Sequence, residues 1–232
     1  MIENSKAHFL DGQTLLLKKP VGWTSFDVVR KIRFLIKKKY SLKKIKIGHA
    51  GTLDPLATGL LIICTGKYTK RISSIQKQQK TYTGVITLGA TTASYDLETK
   101  INNTFETKHI TKKLIEKTVN KFIGEIDQKP PIFSALKQDG ERLYKKARRG
   151  EKIKLKSRKV TIHSFEITSF KMPNATFKIC CSKGTYIRSI AHDFGIALDS
   201  GGYLSNLSRT AIGNHLLKDA LDISEFEQIL NK

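Results

Sequence analysis

Strands are predicted wherever apolar residues alternate with polar ones or form a short unbroken run. The segment Lys80–Leu88 alternates, whereas Leu60–Cys64 is a continuous apolar run of strand length, the mark of a buried strand. The same patterns predict further strands over residues 14–18, 160–167 and 175–181, and a return toward the sheet over residues 204–213. Predicted strands are therefore distributed along most of the chain.

Helices are predicted where apolar residues recur every three or four positions. The first begins at a capping-box pattern formed by Thr24 and Asp27. Further helices are predicted over residues 111–122 and 187–198, with a short one near residues 141–149. A last short helix is predicted at a second capping-box pattern, which Ser224 forms with Glu227.

Basic residues dominate the charge of the chain. Lysine and arginine number 42 against 20 aspartates and glutamates, so the net charge is +22 and the isoelectric point is about 9.9. Such a field attracts and steers a polyanionic partner. Charge alone does not separate RNA from DNA or from an anionic membrane, and a lysine-rich composition can also reflect a genome-wide bias.

The chain length and the length of its apolar runs limit which classes of protein this sequence can belong to. With 232 residues, the chain is long enough to bury a core as one large domain or two small ones. Its longest apolar runs are about five residues, far below the roughly 20 that span a bilayer, and no apolar signal segment begins the chain. The sequence therefore predicts a cytoplasmic protein that makes no membrane contact.

Cysteine and histidine form no metal-ligand pattern in the sequence. The cysteines Cys64, Cys180 and Cys181 lie in predicted strands, and the adjacent pair points to opposite faces of its strand. The six histidines are scattered along the chain. We therefore expect reduced, structural thiols and no metal site.

The glycine-rich segment GHAGTLDPLATG, residues 48–59, is the best candidate for chemistry. Pro55 pushes the backbone of Asp54 toward extended geometry and so helps to aim its carboxylate. An Asp-Pro pair is more often an ordinary turn with a solvated carboxylate, and a loop histidine such as His49 is usually solvated too. The spacing of the glycines fails to match either common phosphate-binding loop motif.

Two segments concentrate the positive charge. Residues 37–46 carry six lysines directly before the Asp54 loop, and residues 129–159 combine many Lys and Arg with aromatic side chains such as Phe133 and Tyr144. Aromatic and basic groups together suit RNA binding. The alternatives are a solvated lysine face in the first segment and a basic surface hairpin without function in the second.

Four motifs, in this order, resemble the TruB family of tRNA pseudouridine-55 synthases. They are GHAGTLDPLATG, KTYTGVITLG, PPIFSALK and CSKGTYIRSI, which begin at residues 48, 80, 130 and 181. The resemblance implies an α+β pseudouridine synthase fold, with a central mixed, mostly antiparallel sheet flanked by helices and a basic thumb insertion over about residues 125–159. It also implies an enzyme that isomerises uridine 55 in the T loop of tRNA without a cofactor or a metal.

The resemblance also implies the catalytic residues. Asp54 matches the family nucleophile, and attack at C1′ of the ribose and attack at C6 of the base both stay open. Arg188 matches the cation that keeps this carboxylate ionised in an enclosed site, a role that suits a bidentate guanidinium. Tyr82 matches the aromatic residue that stacks on the uracil ring and assists proton transfer, although core packing is the stronger interpretation from strand propensity alone.

Further residues are implied to bind the substrate. Tyr186 is expected to sandwich or orient the base together with Tyr82, and Leu207 matches a position that lines the uracil pocket. His49 would fill the space left in the RNA when the target nucleotide is extruded. Lys137, the last residue of PPIFSALK, is expected to contact the substrate as well. The expected partner is the T stem-loop of tRNA, bound by a monomer.

The chain departs from most TruB proteins after Gly213. Only 19 residues follow this glycine, too few for the C-terminal PUA domain of most relatives, so residues 1–232 are expected to form a single catalytic domain. Two alternatives to the enzyme on uridine 55 stay open. One is a non-catalytic RNA-binding protein on the same scaffold, which the presence of Asp54, Arg188 and both tyrosines disfavours. The other is the same chemistry on a different uridine.

Overall fold

The computed structural model describes residues 4–134, 136–138, 140–151 and 155–232. The chain forms two compact units. The first contains the described residues up to Tyr82 together with Leu207–Lys232, and the second contains Thr83–Asn206. Two long strands, Lys80–Leu88 and Gly202–Ile212, contribute residues to both units. The expectation of a single catalytic domain stays a prediction.

Helices are interspersed among the strands along the described residues. The strands are β1 (Thr14–Lys19), β2 (Ile47–His49), β3 (Thr58–Thr65), β4 (Lys80–Leu88), β5 (Ala90–Thr92), β6 (Ile101–Thr104), β7 (Gly124–Gln128), β8 (Lys137–Gln138), β9 (Glu141–Arg142), β10 (Arg158–Lys171), β11 (Asn174–Cys181), β12 (Gly202–Ile212) and β13 (His215–Leu216). The α-helices are α1 (Lys6–Asp11), α2 (Ser25–Tyr40), α3 (Ile72–Lys77), α4 (Lys112–Asn120), α5 (Leu143–Arg148), α6 (Ile187–Ala197) and α7 (Ile223–Asn231). Within the described part of the chain, none of the helices has the length and apolar composition needed to cross a membrane.

The sheet of the first unit is mixed. β1 pairs antiparallel with one edge of β3, and β2 pairs antiparallel with the end of β3 on its other edge. β12 runs parallel to the beginning of β3, with Ser208 opposite Thr58 and Arg209 opposite Gly59. Antiparallel pairing also joins β10 to β11 and β7, β12 to β13, β5 to β6 and β8 to β9, which confirms the predicted α+β class with a mixed, mostly antiparallel sheet.

β3 is buried on both faces, which explains its continuous apolar sequence. Leu61 and Ile63 belong to one hydrophobic cluster, whereas Leu60, Ile62 and Cys64 belong to another. Successive side chains of a strand point to opposite faces, so a strand that is covered on both sides needs apolar residues at every position. The residues that follow the Asp54 loop are therefore anchored firmly in the core.

α2 begins at the capping box that the sequence predicts. The Thr24 side chain accepts a hydrogen bond from the Asp27 backbone, and the Asp27 carboxylate accepts one from the Thr24 backbone. The inner face of α2 packs in one cluster with Phe226 and Leu230 of α7. Its buried apolar residues are Val28, Val29, Ile32, Leu35 and Ile36. Each such side chain contributes about 1.5–3 kcal/mol when fully buried, so this face holds α2 against the core.

The second unit has a sheet of antiparallel strands packed against helices. β10 pairs with β11 on one edge and with β7 on the other. Phe165 of β10 and Phe177 of β11 pack edge to face, and Phe194 of α6 and Phe122 extend the cluster. α6 begins at Ile187, shortly after β11 ends, so the chain makes the strand-to-helix corner that the sequence predicts.

Two features of the fold differ from the sequence prediction. Residues 90–108 have no clear apolar pattern, yet they contain the hairpin of β5 and β6, because all four residues of β6 are exposed and leave no alternation to detect. The last helix is capped by Asp222 with Glu225, so the predicted cap of Ser224 with Glu227 is wrong. Both pairs have capping-box spacing, but backbone hydrogen bonds between β1 and Leu221 end at that residue and leave Asp222 as the cap.

The predicted thumb region contains small elements of its own. Residues 125–159 include most of β7, the short hairpin of β8 and β9, helix α5 and the first residues of β10. The short helix predicted near residues 141–149 is α5, Leu143–Arg148. At its C-terminal end, Arg149 forms a bidentate pair with Glu141, with both distances 2.7 Å.

Candidate active site

Asp54 lies half-buried in the loop between β2 and β3. The loop is tied to the start of α2, because the buried hydroxyl of Ser25 accepts a hydrogen bond from the Leu53 backbone at 2.8 Å and donates one to its carbonyl at 3.1 Å. On the other side, the Ala57 backbone donates to the Asp54 carbonyl at 3.1 Å. The backbone next to Asp54 is therefore held by hydrogen bonds, which restricts the directions its carboxylate can take.

Lys19 is a buried cation beside this loop. The residue is 1% exposed, and its ammonium donates hydrogen bonds to the carbonyls of Pro20 at 2.8 Å, Trp23 at 2.5 Å and Pro55 at 3.1 Å. Burial lowers the pKa of Lys19 to about 8, and the negative charge of Asp54 opposes part of that shift. The ammonium of Lys19 and the carboxylate of Asp54 thus favour each other's charged form.

Arg209 of β12 is a second buried cation in the same unit. The residue is 1% exposed, and its guanidinium donates to the carbonyls of Leu60 at 2.9 Å, Thr52 at 3.4 Å and Gly51 at 3.0 Å. Its three acceptors come from the Asp54 loop and from the strand that follows it. A planar guanidinium with several donors suits this task, because it reaches separate carbonyls at once.

Two glycines of residues 48–59 lie against Arg209. A side chain at Gly59 would overlap the backbone of Arg209, and the φ angle of Gly59 is +106°, which disfavours any other residue. Gly51 has a φ angle of +119°, and a Cβ there would lie 3.5 Å from a guanidinium nitrogen of Arg209. The close approach of Arg209 therefore explains the glycine at position 59, and the positive φ angle explains the one at position 51.

The sequence analysis missed both buried cations. The only sign of either cation in the sequence is its position on the side of a strand that faces the core. Lys19 lies on the buried side of β1. Arg209 lies on the buried side of β12, two residues after Leu207. Both cations donate to backbone carbonyls of the Asp54 region. Lys19 therefore adds positive charge beside the Asp54 carboxylate, and the hydrogen bonds of both cations hold the loop.

His49, Tyr82 and Leu207 lie in the same unit as Asp54. His49 is the half-buried last residue of β2, and burial, reinforced by the positive charge of Arg209, lowers its pKa. Its ring is therefore neutral near pH 7, which suits stacking among bases. Tyr82 of β4 and Leu207 of β12 are both buried and lie on neighbouring strands. These positions agree with an apolar pocket wall, although their roles stay predictions.

Arg188 lies in the first turn of α6 and is paired inside the second unit. The residue is 3% exposed, and its guanidinium lies 3.5 Å from the carboxylate of buried Asp96 and donates to the carbonyls of Ser94 and Phe133 at 3.3 and 3.0 Å. Sequence analysis missed Asp96, because it ends an irregular segment without strand or helix periodicity. The predicted role of Arg188 beside Asp54 stays a prediction.

Tyr186 occupies the corner before α6. The buried amide of Gln128 donates to the Tyr186 carbonyl at 3.1 Å and accepts from its backbone nitrogen at 2.8 Å. The guanidinium of Arg158 lies over the tyrosine ring, 4.5 Å from its centroid. The half-buried ring is thus held in one orientation. Lys137 lies in β8, but its side chain is outside what the structure describes, so its predicted RNA contact stays a prediction.

The architecture is the α+β pseudouridine synthase fold. A solved structure of a Cbf5-Nop10-Gar1 complex superposes on this chain with a TM-score of 0.70 and 26% sequence identity, covering 96% of this chain. The archaeal box H/ACA sRNP Nop10-Cbf5 complex gives a TM-score of 0.69 at 23% identity, which shows the fold alone. This chain spans 55% of the matched chain of the first structure and 56% of that of the second.

Sequence comparison then identifies the family. The model of the TruB family pseudouridylate synthase (N terminal domain) matches residues 37–187, so the chain belongs to the TruB family. It is 60% identical to tRNA pseudouridine synthase B of Flavobacterium johnsoniae, covering 96% of this chain and 97% of that protein. It is 49% identical to the protein of the same name from Phocaeicola vulgatus, covering 97% of this chain and 96% of that protein.

Proposed function

We propose that this chain isomerises uridine 55 in the T loop of tRNA to pseudouridine. The observation that carries the proposal is Asp54 itself: a half-buried carboxylate on a hydrogen-bonded loop, beside two buried cations, in a member of the TruB family. A protein that only bound RNA would gain nothing from this arrangement of a carboxylate. The close similarity to proteins named tRNA pseudouridine synthase B over nearly their full length supports tRNA as the substrate.

The reaction needs a nucleophile and a closed pocket. The bond between N1 of uracil and C1′ of the ribose breaks, the base turns, and a bond from C5 to C1′ forms while a proton leaves C5 and N1 gains one. Atoms and electrons balance without an oxidant or an energy source. Asp54 acts as the nucleophile, at C1′ or at C6, and must therefore be ionised when the substrate is enclosed. The charges of Lys19 and Arg209 favour the ionised form.

The other residues act on the base in this proposal. Tyr82 stacks on the uracil and assists proton transfer, and Tyr186 and Leu207 orient the base. His49 occupies the space that the extruded nucleotide leaves, where a neutral ring replaces lost stacking.

Arg188 supplies the cation that the family pattern implies for the nucleophile. Asp96, its buried partner, is a positioning residue that limits the orientations of the guanidinium.

The charge of the chain supports the T stem-loop as the bound region. Residues 37–46 and the basic thumb of about residues 125–159 offer lysines and arginines to the phosphates, and such contacts dominate nonspecific affinity for nucleic acid. We propose that a monomer binds in this way and acts in the cytoplasm.

A site-resolved assay tests the proposed function. Purified chain and unmodified tRNA are incubated, and pseudouridine is mapped along the RNA by chemical labelling and primer extension. Product is expected at position 55, and none is expected from tRNA in which uridine 55 is replaced by cytidine. Binding without any product would indicate the RNA-binding alternative, and product at another position would indicate a different uridine. Either result would contradict the proposal.

The titration of Lys19 predicts a pH limit on this activity. The pKa of Lys19 is lowered to about 8, so the folded protein loses this cation as the pH rises above about 8, whereas the unfolded chain keeps it until about 10.5. The neutral amine donates two hydrogen bonds instead of three, so kcat/KM is expected to fall above about pH 8. The measurement is the pH profile of tritium release from [5-³H]uridine-labelled tRNA.

Stability should change in the opposite direction. Between about pH 8 and 10.5 the unfolded state binds more protons at Lys19 than the folded state does, so this residue makes the free energy of unfolding rise with pH.

The control for the activity prediction is Lys19→Arg, which stays charged and should lack the alkaline fall in kcat/KM. The same fall in both proteins would assign it to another group.

A further inference from the structure

The exposed face of α2 carries a row of alternating aromatic and basic side chains. Phe26, Arg30, Phe34 and Lys38 are spaced by four residues, so they lie on one side of the helix, about 6 Å apart along its axis. Phe26 and Phe34 are each 58% exposed, although the opposite face of the helix is buried. Exposed aromatic side chains grouped on one face mark a binding surface more often than scattered single ones do.

Two adjoining grooves follow this row. The first has a volume of about 600 Å³ and is lined by Trp23, Arg30 and Phe34, with Gly22, Asp27 and Lys31. The second has a volume of about 520 Å³ and is lined by Arg30, Arg33, Phe34, Lys37 and Lys38, and it ends at Ser41 and Leu42. Arg30 and Phe34 belong to both, so the two grooves form one continuous surface. Phe26 lies outside both linings but only one helical turn from Arg30, and we call the whole surface, with Phe26, the α2 groove.

The charge of the α2 groove fits a polyanion. Five cationic side chains line it, whereas Asp27 is the one carboxylate among the described lining residues. Asp27 is already engaged by the capping box and by Arg30 at 2.5 Å, and such an exposed pair is weak enough for Arg30 to exchange it for a phosphate. Basic residues clustered along one helix, with a single carboxylate that is already engaged, are the electrostatic footprint of a nucleic-acid site, so the charge favours a nucleic acid over a protein partner.

We propose that the α2 groove binds an unpaired segment of RNA. Its bases stack on Trp23, Phe26 and Phe34, and its phosphates contact the cations between and beyond these rings. The stem of a duplex hides the faces of its bases, whereas unpaired bases are free to stack on aromatic side chains. The choice of RNA over DNA rests on the proposed function. The α2 groove adds to that function a stacking surface on the side of α2 that faces away from the core.

Tryptophan fluorescence tests this assignment directly. Trp23 is the single tryptophan of the chain and lines the α2 groove. Its carbonyl also accepts a hydrogen bond from Lys19 beside the Asp54 loop, so quenching is assigned to the α2 groove only where it depends on Phe26 and Phe34. Titration with a short oligouridylate is expected to quench the emission to saturation, whereas a blunt, fully paired RNA of equal charge should quench it little. The double variant Phe26→Ala/Phe34→Ala is expected to bind oligouridylate at least about tenfold more weakly, because each stacked base contributes substantially to such affinities.

Controls separate this contact from general effects. Phe105→Ala removes another exposed phenylalanine, in the second unit, and should bind oligouridylate as the wild type does. Melting temperatures of all variants verify folding. Equal quenching by paired RNA, or unchanged affinity in the double variant, would overturn the proposal. A further outcome is that the wild type self-associates, the double variant does not, and RNA quenches neither. This outcome would assign the exposed face of α2 to a second copy of the chain and would also overturn the proposal.

The proposed function can fail independently of the α2 groove. Position 55 of tRNA is therefore mapped for pseudouridine with the same protein preparations. Pseudouridine formation without quenching by oligouridylate would overturn the α2 groove and leave the proposed function intact. Quenching that depends on Phe26 and Phe34, without pseudouridine at any position, would support the α2 groove and overturn the proposed function.

Discussion

Replacing Asp54 with asparagine is expected to lower the rate of pseudouridine formation by at least about 10³-fold, because an amide cannot act as the nucleophile. Asparagine matches the shape of aspartate, so the loop hydrogen bonds that involve Ser25 and Ala57 can persist. Affinity for tRNA should stay within about threefold, since attraction depends on the many lysines and arginines. Single-turnover rates and filter binding with the same labelled tRNA measure the two quantities separately.

A matched variant controls for the loss of one carboxylate. Asp11 is exposed and forms an ion pair with Lys67 at 2.8 Å, so Asp11→Asn removes the same charge at a surface position of the same unit. Its rate should equal that of the wild type. Measurable turnover at the wild-type rate by Asp54→Asn would refute the assigned nucleophile, and a parallel loss of tRNA binding would make Asp54 a binding residue.

Much of the fold could be predicted from periodicity, because most elements bury one continuous face. The alternation of β4 and the apolar run of β3 mark strands whose environment is set by the core, and the Thr24 capping box marks the start of α2. The prediction fails where a strand is not buried, and where two residue pairs with capping-box spacing could both begin the same helix. β6 is exposed throughout, and the sequence cannot tell that contacts of Leu221 with β1 make Asp222 the cap of α7.

The candidate site was less visible in the sequence than the fold. Asp54 stands out because Pro55 and several glycines surround it. The residues that hold its loop do not stand out, because Ser25, Lys19 and Arg209 are distant from it in sequence and meet it only through strand pairing and helix packing. In the sequence, the only sign of these residues is that a polar or charged side chain occupies a position of the strand or helix that faces the core. That signal is recognisable only when the partners of the strand are known.

Replacing Arg209 with methionine is expected to cause the second largest change in this protein. Methionine fills a similar volume but leaves the buried carbonyl of Leu60 and the partly buried carbonyls of Gly51 and Thr52 without the donors they have now. Each buried acceptor without a donor costs about 1–3 kcal/mol, so stability should fall by about 3 kcal/mol and the melting temperature by about 6–12 °C. A shift of the Asp54 loop by about 1 Å would also lower kcat about 10²-fold.

The conservative variant separates positioning from structural support. Arg209→Lys keeps the positive charge, but a single ammonium cannot reach carbonyls in both the loop and β3, so it should recover part of the melting temperature and little of kcat. Rates are measured well below the melting temperature of each variant, with Arg71→Lys, an exposed change in the same unit, as the control. If Arg209→Lys had the kcat of the wild type, a positive charge at this position would be enough to keep Asp54 active. The hydrogen bonds of the guanidinium would then not be what positions Asp54.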